Sequence, residues 1–189
     1  MAKEVRHCLA ELRANAENRH LVGYAAVFNS RSEDLGGFVE VIDPAAFDGV
    51  IASSDVFAVL DHDLSRGCLA RSKRGAGTLA LAVDDKGLRY EFDAPATPLG
   101  DEVLEGVRRG DITASSFCFA VADDHWERQA DGTYLRTILK VAELYDVSPV
   151  YQPAYEATSV SARHLLEERK AADKKELTEY YNKLKCKQL

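Results

Sequence analysis

Ten consecutive residues, Ile112 to Val121, carry no charge, are rich in β-forming side chains and hold two serines in their middle. A strand turns successive side chains to opposite faces. Ile112, Ala114, Ser116, Cys118 and Ala120 therefore share one face, and Thr113, Ser115, Phe117, Phe119 and Val121 share the other. The bulky second face reads as core. The first is mostly small, which leaves room for something to lie against it, and Ser116 rather than Ser115 projects into that room.

The rest of the chain supplies further strands. Val5–Ala14 and Leu21–Ser30 read as the first two, separated by the polar stretch Asn15–His20. Phe38–Ile42 is a short strand, and Asp43-Pro44 opens a short helix over Ala45–Ala52, with Asp43 as cap and proline at the first helical position. Asp55–Asp63 is expected to be a strand with His62 at its mouth, and Leu64–Gly67 a turn. Thr78–Val83 and Leu88–Phe92 flank Asp84-Asp85-Lys86-Gly87 as a hairpin whose glycine would take a positive φ. Thr97–Arg109 is the clearest helix of the body, capped by Thr97, begun by Pro98 and stopped by Gly110. A turn at Ala130-Asp131-Gly132 precedes a long strand, Leu135–Val147, and the two prolines of Ser148–Tyr155 argue against regular structure there. From Ala162 onward Leu166, Leu177, Tyr181 and Leu184 suggest a charged, weakly amphipathic helix. Strand-rich chains of this size close into a barrel or stack as a sandwich. The expected division is one domain over residues 1–161 and a helical tail over 162–189.

Charge narrows the function classes. The net charge is −7, and residues 162–189 hold eight Lys/Arg against five Asp/Glu, so the tail carries +3 and the first 161 residues −10. An acidic body argues against nucleic acid, whose binding runs on clustered Lys and Arg. No apolar run approaches bilayer length and the first residues lack the apolar core of a signal peptide, so neither membrane nor leader is expected. Cys8, Cys68, Cys118 and Cys186 lie far apart without a C-x-x-C pair, which fits reduced thiols. The five histidines are equally scattered, so no metal site is expected.

Serine chemistry needs a base for the hydroxyl proton and a third group to hold that base. Among the histidines, His7 and His20 lie in or beside the opening strand, His125 sits beside Trp126 and His164 begins the tail. Only His62, in Asp61-His62-Asp63, ends an apolar strand where a core would expose it into a cleft. A serine in a strand is ordinarily a small hydrogen-bonded residue, and a histidine between aspartates is ordinarily a surface residue; the pattern by itself leaves both readings open. Gly75-Ala76-Gly77 is too short for a phosphate loop, and G-x-S-x-G is absent. Cys118 shares the Ser116 face, but a buried thiol is usually inert.

An ordered series of motifs over about residues 20–161 resembles the prohead serine proteases of tailed bacteriophages, whose fold is akin to the herpesvirus assemblins. The series runs from Gly23-Tyr24-Ala25-Ala26-Val27-Phe28-Asn29 through Ile42-Asp43-Pro44 with Ala46-Phe47, Leu60-Asp61-His62-Asp63 and Gly87-Leu88. Gly110-Asp111-Ile112 then leads to Ser116-Phe117-Cys118-Phe119, and Leu144-Tyr145-Asp146-Val147-Ser148-Pro149-Val150 and Pro153-Ala154-Tyr155 close it. The resemblance implies a closed or partly closed β-barrel surrounded by a few helices. It implies a serine endopeptidase without cofactor, with Ser116 as nucleophile and His62 as base. Its substrates would be a scaffold protein or the scaffolding arm of the major capsid protein, together with itself. It would work as a homodimer inside the immature prohead, in the host cytoplasm.

The third catalytic member has two candidates, Glu143 and Asp146, which an unbroken strand would turn to opposite faces. Asp146 stands where the family's Leu-x-acid-Val-Ser motif carries its acid and lies at the strand's end. It is the expected member, with Glu143 as the alternative and a Ser–His dyad as the third reading. The family usually has glycine where Cys118 stands and Gly-Met where this chain has Ala114-Ser115. Those departures support a second function class, a capsid- or scaffold-binding module that keeps the protease fold without turnover.

Overall fold

The computed structural model describes residues 2–9, 11–15, 17–151 and 160–186. The strands in chain order are β1 (Glu4–Cys8), β2 (Leu12–Ala14), β3 (His20–Val27), β4 (Phe38–Ile42), β5 (Asp55–Ala58), β6 (Ala70–Lys73) and β7 (Ala76–Gly77), followed by β8 (Ala80–Val83), β9 (Gly87–Asp93), β10 (Ala114–Arg128) and β11 (Tyr134–Val150). The helices are α1 (Val50–Ser53), α2 (Pro98–Arg109) and α3 (Val160–Cys186), with short 3-10 turns at Pro44–Phe47 and Leu64–Arg66. The chain is mainly β.

Two sheets face each other. One runs β1-β10-β11-β5-β6-β7, with β4 also paired to β11; the other runs β2-β3-β9-β8. Both contribute to one apolar core: Leu21, Ala25, Leu88, Tyr90 and Phe92 from the smaller sheet meet Val56, Ala58, Phe117, Phe119, Ile138, Leu144 and Val147 from the larger. Among the described residues neither sheet closes on itself, so the strand pairing is that of two open sheets rather than a closed barrel. The long strand β11 organises the larger one. It pairs antiparallel with β10 along its whole length, and on its other edge it takes β4 and then β5, both parallel.

Several elements differ from the sequence expectation. The expected first strand, Val5–Ala14, is two strands in different sheets, because β1 pairs with β10 and β2 with β3. Glu4 and Arg6 explain the departure. Both are buried in an ionic cluster with the larger sheet, in which Arg6 bonds Glu40 at 2.8 Å and Glu4 at 2.6 Å, while Arg136 bonds Glu4 at 2.6 Å, Glu40 at 3.0 Å and Asp124 at 2.6 Å. Burial alone would raise the Glu4 pKa, but Arg136 and Arg6 together hold it below the usual carboxylate value.

The helix expected over Ala45–Ala52 is broken. Asp43 caps a 3-10 turn and Gly49, at φ 74°, separates it from α1. In the hairpin Gly87 does not have a positive φ. It is the first residue of β9, and a Cβ there would lie 2.0 Å from the Ala26 carbonyl oxygen, so close strand approach is what demands glycine. The turn is held instead by Asp84 Oδ1, which accepts from the amides of Lys86 and Gly87. Helix α2 has the expected Thr97 cap and Gly110 stop. Ser148–Val150 continue β11 despite Pro149, whose carbonyl still accepts a bond from Asp61. The Pro153-Ala154-Tyr155 motif and Thr158-Ser159, which precede the tail helix, lie outside the described residues. In the tail, Leu166 of α3 is buried with Phe38 and Tyr134, and the Tyr134 hydroxyl donates to Asp173 at 2.7 Å.

Candidate active site

Strand β10 presents its two serines to opposite sides, as alternation requires. Ser115 faces the core, where its Oγ lies 2.8 Å from the Tyr90 hydroxyl. Burial pushes the Tyr90 phenol pKa up, so this is a neutral hydrogen bond between the two sheets. Ser116 faces the other way and lies 2.5 Å from Nε2 of His62.

His62 reaches that point because the chain continues beside β11 after β5 ends. Val59 and Asp61 donate backbone bonds to the carbonyls of Val147 and Pro149. The chain then leaves the sheet through Asp61 and His62, both in the left-handed region at φ 52° and 59°. Asp and His enter that region more readily than most residues, and such backbone is often found at functional sites. The flanking aspartates have structural tasks. Asp61 accepts from the Tyr151 amide, and Asp63 caps the following 3-10 turn by accepting from Ser65. His62 is left to turn back over the sheet.

Asp146 completes the group. Its Oδ1 lies 2.6 Å from Nδ1 of His62. An ionised carboxylate can only accept, so Nδ1 carries a proton and Nε2 is the acceptor facing Ser116. Adjacent strands β10 and β11 thus supply serine and acid, and the segment that follows β5, the next strand, supplies the histidine. Glu143 is not brought to His62; it is exposed and bonds the Tyr145 hydroxyl. The simple alternation argument fails here, because a bulge interrupts the register. Cys118 pairs with Asp146 and Phe119 with Leu144, leaving Tyr145 as an extra residue in β11. Leu144 and Val147, three apart, can therefore both reach the core.

Two further residues join this face that the sequence did not single out. Ser148, the cross-strand partner of Ser116, donates to Asp146 Oδ1 at 2.8 Å and lies 3.3 Å from His62 Nδ1. Its position two residues beyond Asp146 was the available signal. Arg6 of β1 contributes a carbonyl 2.9 Å from Ser116 Oγ. A hydroxyl has one proton, so it serves either that carbonyl or His62 Nε2 at any moment.

A scan against families matches residues 9–175 to the model described as caudovirus prohead serine protease. The chain belongs to that family. The match extends past Arg163 into the tail helix, further than the motif series alone reaches. Neither a curated protein nor a solved structure matches the chain significantly.

This prohead protease family member carries Cys118, where the resemblance leads to the expectation of glycine, on the side of β10 that bears Ser116. The thiol is 8% exposed, and burial first, then the Asp146 charge, pushes its pKa up to about 11. At pH 7.5 it is a protonated thiol and a poor nucleophile. Iodoacetamide at that pH is expected to alkylate the exposed Cys68 and to leave Cys118 unmodified, as read by peptide mass spectrometry. Rapid modification of Cys118 would show that the thiol is more open or more acidic than its surroundings dictate. Among the described residues no cluster of His, Cys, Asp and Glu could hold a metal ion.

Proposed function

We propose that this chain is a serine endopeptidase of prohead maturation, which cuts a scaffold protein or the scaffolding arm of the major capsid protein and also cuts itself. The observation that carries the reading is the unbroken run of contacts from Asp146 Oδ1 through His62 to Ser116 Oγ, at 2.6 and 2.5 Å. Family membership supports the substrate class. In this reading residues 1–161 form the protease domain and 162–189 a charged helical tail. The facing sheets serve as a partly closed barrel, and the working enzyme is a homodimer inside the prohead in the host cytoplasm.

His62 Nε2 takes the Ser116 proton as Oγ attacks the peptide carbonyl, and the imidazolium so formed donates through Nδ1 to Asp146. Ser116 must first turn its hydroxyl from the Arg6 carbonyl towards Nε2. His62 then hands the proton to the leaving amine, and water repeats the sequence on the acyl-enzyme. Backbone N–H groups stabilise the oxyanion. No cofactor takes part.

The test is incubation of the purified chain with its cognate scaffold and capsid proteins, with new termini mapped by mass spectrometry. New internal termini that depend on the chain are expected. Self-cleavage is expected near 158–161 or further along the tail rather than within the sheets, where backbone is protected. Labelling by a fluorophosphonate separates this reading from a non-catalytic module that keeps the fold, because only an activated serine reacts. A chain that neither labels nor cuts would overturn the protease reading.

A further inference from the structure

Strand β1 precedes the segment that matches the family, which begins at residue 9, yet it lies directly beside the nucleophile. Its register sets His7 opposite Ser116. Residues directly opposite in an antiparallel pair point to the same side, with Cβ atoms about 4.5–5.5 Å apart. The imidazole of His7 accordingly lies on the face that carries Ser116, and its ring centre is 6.4 Å from that of His62, edge to face. Unlike the base, His7 is exposed, and among the described residues its ring makes no side-chain hydrogen bond, while its backbone stays in the β1–β10 ladder. It is also held firmly. Glu4 and Arg6, its neighbours on the opposite side of β1, are locked into the buried cluster with Glu40 and Arg136. An unpartnered imidazole on a clamped strand beside the reacting group is an arrangement suited to recognition rather than to packing.

We propose that His7 is a substrate-contacting residue, whose free imidazole hydrogen-bonds the peptide beside the bond that Ser116 attacks. The inference rests on the protease reading. A carbonyl carbon must come within about 3–3.5 Å of Ser116 Oγ to react. A chain passing at that distance also passes the His7 ring, given the spacing of opposed residues. The protein shields the exposed ring in part, and this desolvation first, then repulsion by His62 when protonated and by Arg6, lowers the His7 pKa; the shift favours the neutral ring, which offers one donor and one acceptor. A neutral ring adds no repulsion when His62 becomes an imidazolium.

The role separates from that of the triad by comparing a long substrate with a small probe. A peptide spanning a mapped cleavage site reaches His7, whereas a short alkyl fluorophosphonate reports only on Ser116 activation. His7→Ala is expected to lower kcat/KM on the peptide about tenfold, the scale of losing one hydrogen bond, mostly through KM. The rate of fluorophosphonate labelling should stay within about twofold of the parent. His7→Gln, which keeps a donor and an acceptor, should recover most of the peptide activity. Unchanged peptide kinetics in His7→Ala would overturn the proposal. So would equal losses in peptide turnover and labelling, since His7 would then act through the serine. A parent chain that labels but shows no peptide contact at His7 defeats this inference alone; one that does not label defeats the protease reading with it.

Discussion

Ser116→Ala is expected to reduce kcat/KM on a peptide or scaffold substrate by about 10^4-fold or more, with the fold unchanged by circular dichroism. His62→Ala should give a loss of similar size, and the double variant should be hardly worse than either. Residues that act as one unit do not contribute additively, and in the proposed mechanism Oγ and Nε2, 2.5 Å apart, exchange a single proton. Ser115→Ala is the informative control. Its Oγ faces the core and bonds Tyr90, so its loss leaves a buried phenol without a partner and costs roughly 1–3 kcal/mol of stability. That variant should melt at a lower temperature and still cleave. If Ser115→Ala were inactive while Ser116→Ala cleaved at the parental rate, the assignment of nucleophile would be wrong.

Asp146→Asn should lower kcat by about 10^3- to 10^4-fold with little change in KM, because an amide can offer its NH2 to Nδ1. That interaction selects the tautomer with the proton on Nε2, which faces Ser116 and then cannot receive the serine proton. Glu143→Gln should stay near the parental rate, since Glu143 is exposed and contacts Tyr145 rather than His62. Steady-state kinetics on one peptide, run for both variants, distinguish the two acids. A fully active Asp146→Asn beside an impaired Glu143→Gln would transfer the orienting role to Glu143. Full activity in both would leave a Ser–His dyad.

Much of this site is readable in the sequence because it depends on local rules. Alternation in β10 separates Ser115 from Ser116 before any tertiary contact is known. The end of an apolar strand made His62 a candidate among five histidines but left it equally readable as a surface residue, and the resemblance chose it; the strand itself stops at Ala58 and His62 is carried onward by bonds to β11. What stayed hidden depends on pairing between distant segments. The bulge at Tyr145 cannot be read from β11 alone, since it exists only relative to β10. Ser148 and His7 gain their importance from being opposite Ser116, on one strand before it and one after. The division of Val5–Ala14 into strands of different sheets has the same origin: charges at Glu4 and Arg6 look like surface residues until Glu40 and Arg136 are brought beside them. Gly87 carried a local signal that pointed the wrong way. Turn chemistry suggested a positive φ there, whereas the Ala26 carbonyl of a neighbouring strand sets the requirement.

The pairing of β1 with β10 also has a consequence in time. Arg6 and Ser116, in contact through a carbonyl and a hydroxyl, are separated by 110 residues of chain. At synthesis rates of about 5–20 residues per second, β1 waits roughly 5–20 s for its partner strand to be made. Until then Glu4 and Arg6 remain in water, where their charges cost nothing. Asp146 lies 84 residues beyond His62, so the base and its acid likewise meet only after β11 has left the ribosome. No nascent chain that stops short of β11 contains the whole constellation, so on the protease reading a polypeptide at that stage has no assembled means of cutting itself or its neighbours.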